Sequence, residues 1–311
     1  MKDLGDSARA LDKLSIGRLV SLFEDTRAEV AGDRAAVLAA LADSPRRARF
    51  IGITGAPGSG KSTLVGQLGT RLVARDPDAA VAVLAVDPSS HVSGGALLGD
   101  RTRVRFAPGE KRLFFRSQAS DRDLGGVGRG TFQVCRLLYY LFDYVLVETV
   151  GIGQSEVEIQ HVADYTYLLV QPLAGDQVQF MKAGIMEVPD AFVVNKYDQV
   201  EAAERAYHAL EASLRMARLG RSGPPVIFKT SATTGVGLDE LVADLARPDL
   251  PRKPMADKEA YFFEKWVRDQ YGRVGLRRLD GGAATWLAAH DGFEAAQQAF
   301  AARMVSSPRA D

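Results

Sequence analysis

Cysteine is nearly absent: Cys135 stands alone in 311 residues. A single thiol cannot close an intramolecular disulfide, and it excludes a zinc site built from several cysteines. A surplus of either charge is also missing, because Lys+Arg and Asp+Glu are 39 each. Proteins that coat nucleic acid or anionic lipid carry a basic excess, so neither nucleic acid nor a membrane is an expected partner. No apolar run reaches the ~20 residues of a membrane-spanning helix. The first dozen residues contain Asp3, Asp6 and Asp12. They show neither the apolar core of a signal peptide nor the acid-poor, Arg-rich character of a transit peptide, so the expected location is cytoplasmic. Histidine is sparse, and His91, His161, His208 and His290 are scattered rather than clustered for metal binding. What remains is an ordinary globular balance, 46% hydrophobic and 25% charged, with length for a sizeable core and about two domains.

Along the chain, residues 7 to about 42 predict helix, with Leu11, Leu14, Leu19, Leu22 and Phe23 at helical spacing and Val37, Leu38 and Leu41 continuing the apolar stripe after a break at Gly32. Ser44-Pro45 closes this segment. From about 50 onward short apolar runs recur at Phe50–Thr54, Ala80–Val86, Leu113–Arg116, Tyr144–Glu148, Tyr165–Val170, Ala191–Val194 and Val226–Phe228. Several are almost continuously apolar, as strands buried on both faces of a parallel sheet are. Helical stretches such as Ser62–Ala74 and Glu201–Arg218 lie between them. This alternation predicts an α/β fold with a doubly wound, mostly parallel sheet. Beyond a linker at Pro248, Pro251 and Pro254, an aromatic stripe (Phe262, Phe263, Trp266, Val267, Tyr271, Val274) predicts a helix. A second follows from Gly292 to Val305, with Phe293, Phe300 and Met304 on one face.

The strand at Phe50–Thr54 runs into Gly55-Ala56-Pro57-Gly58-Ser59-Gly60-Lys61-Ser62-Thr63, a G-x-x-x-x-G-K-[ST] loop that opens a helix. Such glycines let backbone N–H groups turn inward around phosphate oxygens, and the helix N-terminus adds positive potential. In that setting Lys61 reaches the β- and γ-phosphates and the Ser62 hydroxyl ligates Mg²⁺. Asn195-Lys196-Tyr197-Asp198 follows a later strand. N-K-x-D suits guanine: a carboxylate at Asp198 accepts from the ring N–H and the exocyclic amine, Asn195 braces the loop, and the Lys196 stem packs on the base. Thr230-Ser231-Ala232 after the next strand looks like the S-A element that contacts the guanine carbonyl through backbone N–H.

Glu148-Thr149-Val150-Gly151 occupies the place of a D-x-x-G element, with Glu for Asp. Its carboxylate would hold Mg²⁺ directly or through water, and the Gly151 N–H would sense the γ-phosphate. Ile152 follows where small signalling GTPases carry a water-orienting Gln, which predicts slow intrinsic hydrolysis; Gln154 lies two residues on. Asp87, at the end of the second strand, reads equally as a second carboxylate near the metal and as a helix cap or turn residue. The Gly- and Arg-rich stretch from Ser89 to Thr131 reads as switch and partner-contact loops mixed with an additional strand–helix unit.

Taken together these segments resemble the metallocofactor-chaperone P-loop GTPases, in which Glu replaces the Asp of the third motif. Within them the chain is most similar to the MeaB/ArgK-like branch, that of the methylmalonic aciduria type A protein. The resemblance rests on Gly55–Thr63, Asp87–Ser90, Gly94-Gly95, Leu98-Gly99-Asp100, Leu124-Gly125-Gly126, Val147–Glu156, Gly175-Asp176, Lys182-Ala183-Gly184 and Asn195–Asp198, and spans most of residues 10–250. It implies a GTP/GDP-binding, Mg²⁺-dependent chaperone of an adenosylcobalamin-dependent acyl-CoA mutase, acting as a homodimer. It implies an N-terminal helical extension (1–47), a GTP-binding α/β domain (48–250) and a C-terminal helical arm for dimerisation or partner docking (251–311). By position it adds Asp100 to Lys61, Ser62, Asp87 and Glu148 as the phosphate and magnesium set, and Asp176, Gln179 and Lys182 as an additional partner-coupled switch. The chain departs from the branch at His91, where a small hydroxyl residue is usual, and after about residue 275, where the usual dimerisation arm is not matched. Two rival readings are a P-loop kinase, against which N-K-x-D argues, and a metal-insertion GTPase, against which the scattered histidines and lone cysteine argue.

Overall fold

The computed structural model describes residues 2–87, 106–107, 109–119, 127–149, 154–172, 189–217 and 226–306. In chain order its elements are α1 (Lys2–Arg9), α2 (Lys13–Glu24), a 3₁₀ turn (Ala28–Val30), α3 (Ala31–Leu41), β1 (Arg49–Gly55), α4 (Lys61–Arg75), β2 (Val81–Asp87), β3 (Leu113–Ala119), α5 (Arg129–Leu138), β4 (Tyr144–Thr149), α6 (Gln154–Val162), β5 (Tyr165–Val170), β6 (Ala191–Val194), α7 (Val200–Ala217), β7 (Ile227–Lys229), α8 (Leu238–Leu245), α9 (Met255–Arg278), α10 (Gly282–Ala288) and α11 (Gly292–Ser306).

The apolar runs form one sheet in the order β3-β2-β4-β1-β5-β6-β7, and the pairings are all parallel. The near-continuous apolar sequence of each inner strand follows from burial on both faces. Ile51, Ile53, Val81, Val83, Leu146, Tyr167 and Val193 point to one side, among side chains of α4 and α8. Their neighbours Phe50, Ala82, Leu84, Val145 and Val147 point to the other, into a core shared with both helical extensions. Leu168, Val170, Phe192 and Val194 continue that second face under α7. Gly52 is the exception on β1: a Cβ there would come within 2.9 Å of Ile159 and 3.0 Å of Ala163, so α6 packs against the bare strand backbone.

The N-terminal extension breaks between α1 and α2 and again between α2 and α3, and not at Gly32, which lies inside α3. Leu11 takes a left-handed φ of 61°, and the Asp12 carboxylate accepts from Ser15 N at 2.8 Å, capping a new helix. Restarting at Lys13 resets the phase: Ile16, Leu19, Val20 and Phe23 are buried, whereas Leu14, expected on the apolar stripe, is 77% exposed. Val226 likewise precedes β7 instead of opening it.

The aromatic stripe of α9 is consumed inside the chain. Phe262 stacks on Phe132 of α5 with centroids 4.1 Å apart, and Phe263 meets Phe293 edge-on at 5.7 Å. Gly272 breaks the helical phase at φ 58°, ψ −148°, which turns Val274 out to solvent. A buried ion pair fastens α9 to the sheet. Lys258 Nζ donates to Asp164 Oδ1 at 2.6 Å with both side chains 3% exposed, and Asp164 Oδ2 accepts from Phe50 N at 2.8 Å. Burial pulls the Lys258 ammonium below its ordinary range, against the opposing pull of Asp164. Lys258→Ala leaves Asp164 buried without its counter-charge. It is expected to cost about 3–5 kcal/mol of stability, read as an earlier midpoint in urea denaturation.

Cys135 lies within this core, and burial pushes its thiol up to about 12. It is therefore expected to react with a thiol reagent only at the rate of global unfolding, and promptly in denaturant; colorimetric thiol titration checks this. Among the described residues no helix is long and apolar enough to cross a membrane.

Candidate nucleotide-binding site

β1 is central in the sheet, with β4 on one side and β5 on the other. Its carboxyl end is where a doubly wound sheet opens a crevice. Here Gly55 leaves the strand at φ 143°, and a Cβ would lie 2.4 Å from Leu169 O on β5. Gly58 and Gly60 also take positive φ, the conformation that lets consecutive backbone N–H groups converge. Pro57 and Gly58 face solvent, while Ser59 is fully buried beneath them. α4 opens directly after Gly60, so its N-terminal N–H groups point at the same cradle.

Lys61 is almost completely buried, and its Nζ donates to Gly55 O at 2.8 Å and to Ala56 O at 2.9 Å. The ammonium thus lies across the loop. Ser62 Oγ donates to Glu148 Oε1 at 2.8 Å, which brings the helix hydroxyl and the β4 carboxylate to one buried point. Thr63 faces solvent. A further contact, not foreseen from the motifs, ties the strand ends: Thr149 Oγ1 donates to Thr54 Oγ1 at 3.2 Å. Its only sequence signal is a threonine closing each of two apolar runs.

The second half of the site comes from the loops after β6 and β7. Asn195 is buried, and its Nδ2 donates to Ser59 O at 2.8 Å. Gly60 is obligatory for the same reason, since a Cβ there would sit 2.5 Å from that Nδ2. The Asn195 Oδ1 accepts from Thr230 Oγ1 at 3.3 Å and from Ala232 N at 3.2 Å. One amide therefore joins three loops: the phosphate cradle, N-K-x-D and S-A. Lys196 holds a left-handed φ of 61°, and its Nζ donates to Gln171 Oε1 at 3.2 Å. Asp198 is exposed, and its Oδ1 accepts from Ser231 Oγ at 2.7 Å. That hydrogen bond holds the Asp198 carboxyl below the usual carboxylate range, so it is ionised and able to accept at neutral pH.

Asp87 ends β2, where its backbone pairs with Ala119; its side chain lies outside the described residues. Asp100, Gly151, Ile152, Asp176, Gln179 and Lys182 also lie outside them, as does the side chain of Gln154. The described residues thus bring together Gly55–Ser62, Glu148, Asn195, Lys196, Asp198, Ser231 and Ala232. Chemically, one end offers converging N–H groups and an ammonium to a polyanion. The other offers a carboxylate acceptor and a backbone donor to a planar base edge.

The family described as methylmalonyl-CoA mutase-associated GTPase MeaB matches residues 16–250. A probable GTPase of Mycobacterium tuberculosis is 39% identical over 243 residues, covering 76% of this chain and 71% of that protein. A mitochondrial methylmalonic aciduria type A homolog of Caenorhabditis briggsae is 41% identical over 149 residues, covering 48% of this chain and 36% of that one. Among solved structures, a LAO/AO transport system kinase superposes with a TM-score of 0.61 over 99% of this chain and 93% of that one. At 23% identity that likeness speaks for the fold alone. The sheet order and the phosphate loop after its central strand agree with the family match, and the chain belongs to the MeaB family of P-loop GTPases.

Proposed function

We propose that this chain is a Mg²⁺-dependent, cytoplasmic GTPase that gates cofactor loading into an adenosylcobalamin-dependent acyl-CoA mutase, of the methylmalonyl-CoA mutase type, and protects or reactivates that enzyme. The observation that carries the reading is the family match over residues 16–250. In this reading the chain acts as a homodimer.

The Gly55–Gly60 backbone and Lys61 hold the β- and γ-phosphates. Ser62 Oγ and the Glu148 carboxylate, two hard oxygen donors already 2.8 Å apart and buried, suit Mg²⁺. Asp87 and Asp100 complete the acidic set around it. Bound Mg²⁺ supplies neutralisation of the phosphate charge. Asn195, Lys196, Asp198, Ser231 and Ala232 take the guanine. Lys61 carries the residues' own share of transition-state stabilisation, because phosphoryl transfer is driven by positioning and charge. Gly151 senses the γ-phosphate, and Asp176, Gln179 and Lys182 rearrange with the partner, so that the mutase reads the nucleotide state. Ile152 offers no polar atom to orient water, which makes intrinsic turnover slow.

The test is size-exclusion chromatography of the purified protein with an adenosylcobalamin-dependent acyl-CoA mutase from the same source, with GDP or with a non-hydrolysable GTP analogue. A complex whose stability depends on the nucleotide, with a longer active lifetime of the mutase, is the expected result. Absence of a complex in both nucleotide states contradicts the proposal.

A further inference from the structure

The Asn195 amide joins the two base loops from inside, and a second link joins them from outside. Glu204 sits on the first turns of α7, just after the N-K-x-D loop. Both of its oxygens accept from Lys229 Nζ, at 2.8 and 3.0 Å. Its Oε1 also accepts from the Tyr197 hydroxyl. Tyr197 is the residue between Lys196 and Asp198, and Lys229 is the residue directly before Thr230-Ser231-Ala232. Lys229 Nζ further lies 4.1 Å from the Tyr207 ring centroid, against a second aromatic wall from α7. The backbone closes the ring, with Tyr197 N donating to Thr230 O at 2.9 Å. The carboxylate is held below and the ammonium above their ordinary ranges, first through their mutual hydrogen bonds.

We infer that Glu204, with Lys229 and Tyr197, is a positioning cluster that sets the separation between Asp198 and the Ser231-Ala232 backbone, and thereby the selectivity for guanine. The inference rests on the guanine reading of the base loops. None of the three side chains belongs to the base-contacting set. A Lys–Glu pair that is only half-buried contributes little to stability by itself. Here the pair, with Tyr197 hydrogen-bonded to it, bridges the flanks of two recognition loops: Tyr197 is one residue from Asp198 and Lys229 two from Ser231. Its loss therefore acts on geometry at the base more than on folding.

The experiment is equilibrium binding of GDP, IDP and ADP to the full chain, for wild type, Glu204→Ala, Lys229→Met and Lys229→Arg, with thermal melting in parallel. IDP lacks the exocyclic amine that Asp198 recognises, so the GDP/IDP ratio reports the second Asp198 bond, and ADP reports phosphate binding alone. Glu204→Ala and Lys229→Met are expected to weaken GDP about tenfold, the size of one displaced hydrogen bond. They are expected to shrink the GDP/IDP ratio and leave ADP unchanged, while Lys229→Arg retains selectivity. Equal losses for GDP and ADP, or unchanged GDP binding in folded variants, overturn the inference while leaving the base site standing. A wild type that does not distinguish GDP from ADP overturns the guanine reading itself, and the inference with it.

Discussion

Lys61→Met is expected to lower GTP turnover by at least about a thousandfold, because it removes the buried ammonium that the proposed phosphate site sets against developing phosphate charge. Methionine keeps the stem that packs under the loop and deletes only the charged end. In the structure that end donates to Gly55 O and Ala56 O. Losing those two bonds is offset by no longer burying an ammonium, so the melting temperature changes little. GTP binding is expected to weaken by about a hundredfold, the loss of a charge-assisted contact to phosphate. Single-turnover hydrolysis together with thermal melting separates the two effects. Turnover within tenfold of wild type would remove Lys61 from the phosphate set.

Asp198→Asn is expected to have the second largest effect, on base choice instead of on chemistry. In the proposed base site the ionised Asp198 carboxylate presents acceptors to both guanine donors, whereas an amide presents one acceptor and a donor facing the exocyclic amine. Two charge-assisted bonds are lost or opposed, which corresponds to about a hundredfold to a thousandfold weaker GTP binding. Xanthine carries a carbonyl where guanine carries the amine, so the same amide suits it, and XTP is expected to bind the variant better than GTP does. Ser231 Oγ still finds an acceptor in the Asn side-chain carbonyl, replacing the 2.7 Å bond to Asp198, so the loop keeps its shape. Competition of GTP, XTP and ATP against a fluorescent guanine nucleotide measures this. Unaltered preference for GTP would place base recognition elsewhere.

Much of this site is legible in the sequence because its chemistry is local. A phosphate cradle needs its glycines, lysine and hydroxyl within nine consecutive residues, and Gly55–Thr63 carries them in order. The strands are legible for a related reason: double burial makes each a short apolar run, and all seven expected runs open within one residue of the observed start. What depends on distant packing is not legible. Nothing near residue 204 signals that its carboxylate meets Lys229, 25 positions later. The break at Leu11–Asp12 rests on a left-handed leucine, a conformation that sequence disfavours and that surrounding packing sustains. The aromatic stripe of α9 looks the same whether it awaits a partner or an internal core; only the fold shows Phe132, Phe293 and Phe300 already against it. Sheet order is hidden too, since β1 has β4 and β5 beside it while β2 and β3 lie beyond β4.

The contact of Ser62 with Glu148 joins the fold to the proposed partner-dependent cycle. The third motif's carboxylate is a glutamate, and its side chain reaches the α4 hydroxyl at 2.8 Å. The two side chains proposed to hold Mg²⁺ are thus already side by side. The switch segments that would complete the site belong to the stretches through which a mutase would act. A site preorganised for binding but completed by a partner predicts slow turnover alone and faster turnover in the complex.

The most direct measurement of that claim is Mg²⁺-dependent hydrolysis of GTP and of ATP by the purified protein, with and without an adenosylcobalamin-dependent acyl-CoA mutase from the same source. Slow GTP turnover that rises severalfold with the mutase, with ATP inert throughout, is the expected result. GTP turnover indifferent to the mutase would contradict the proposed partnership, and a preference for ATP would contradict the guanine site built from Asn195, Asp198 and Ser231.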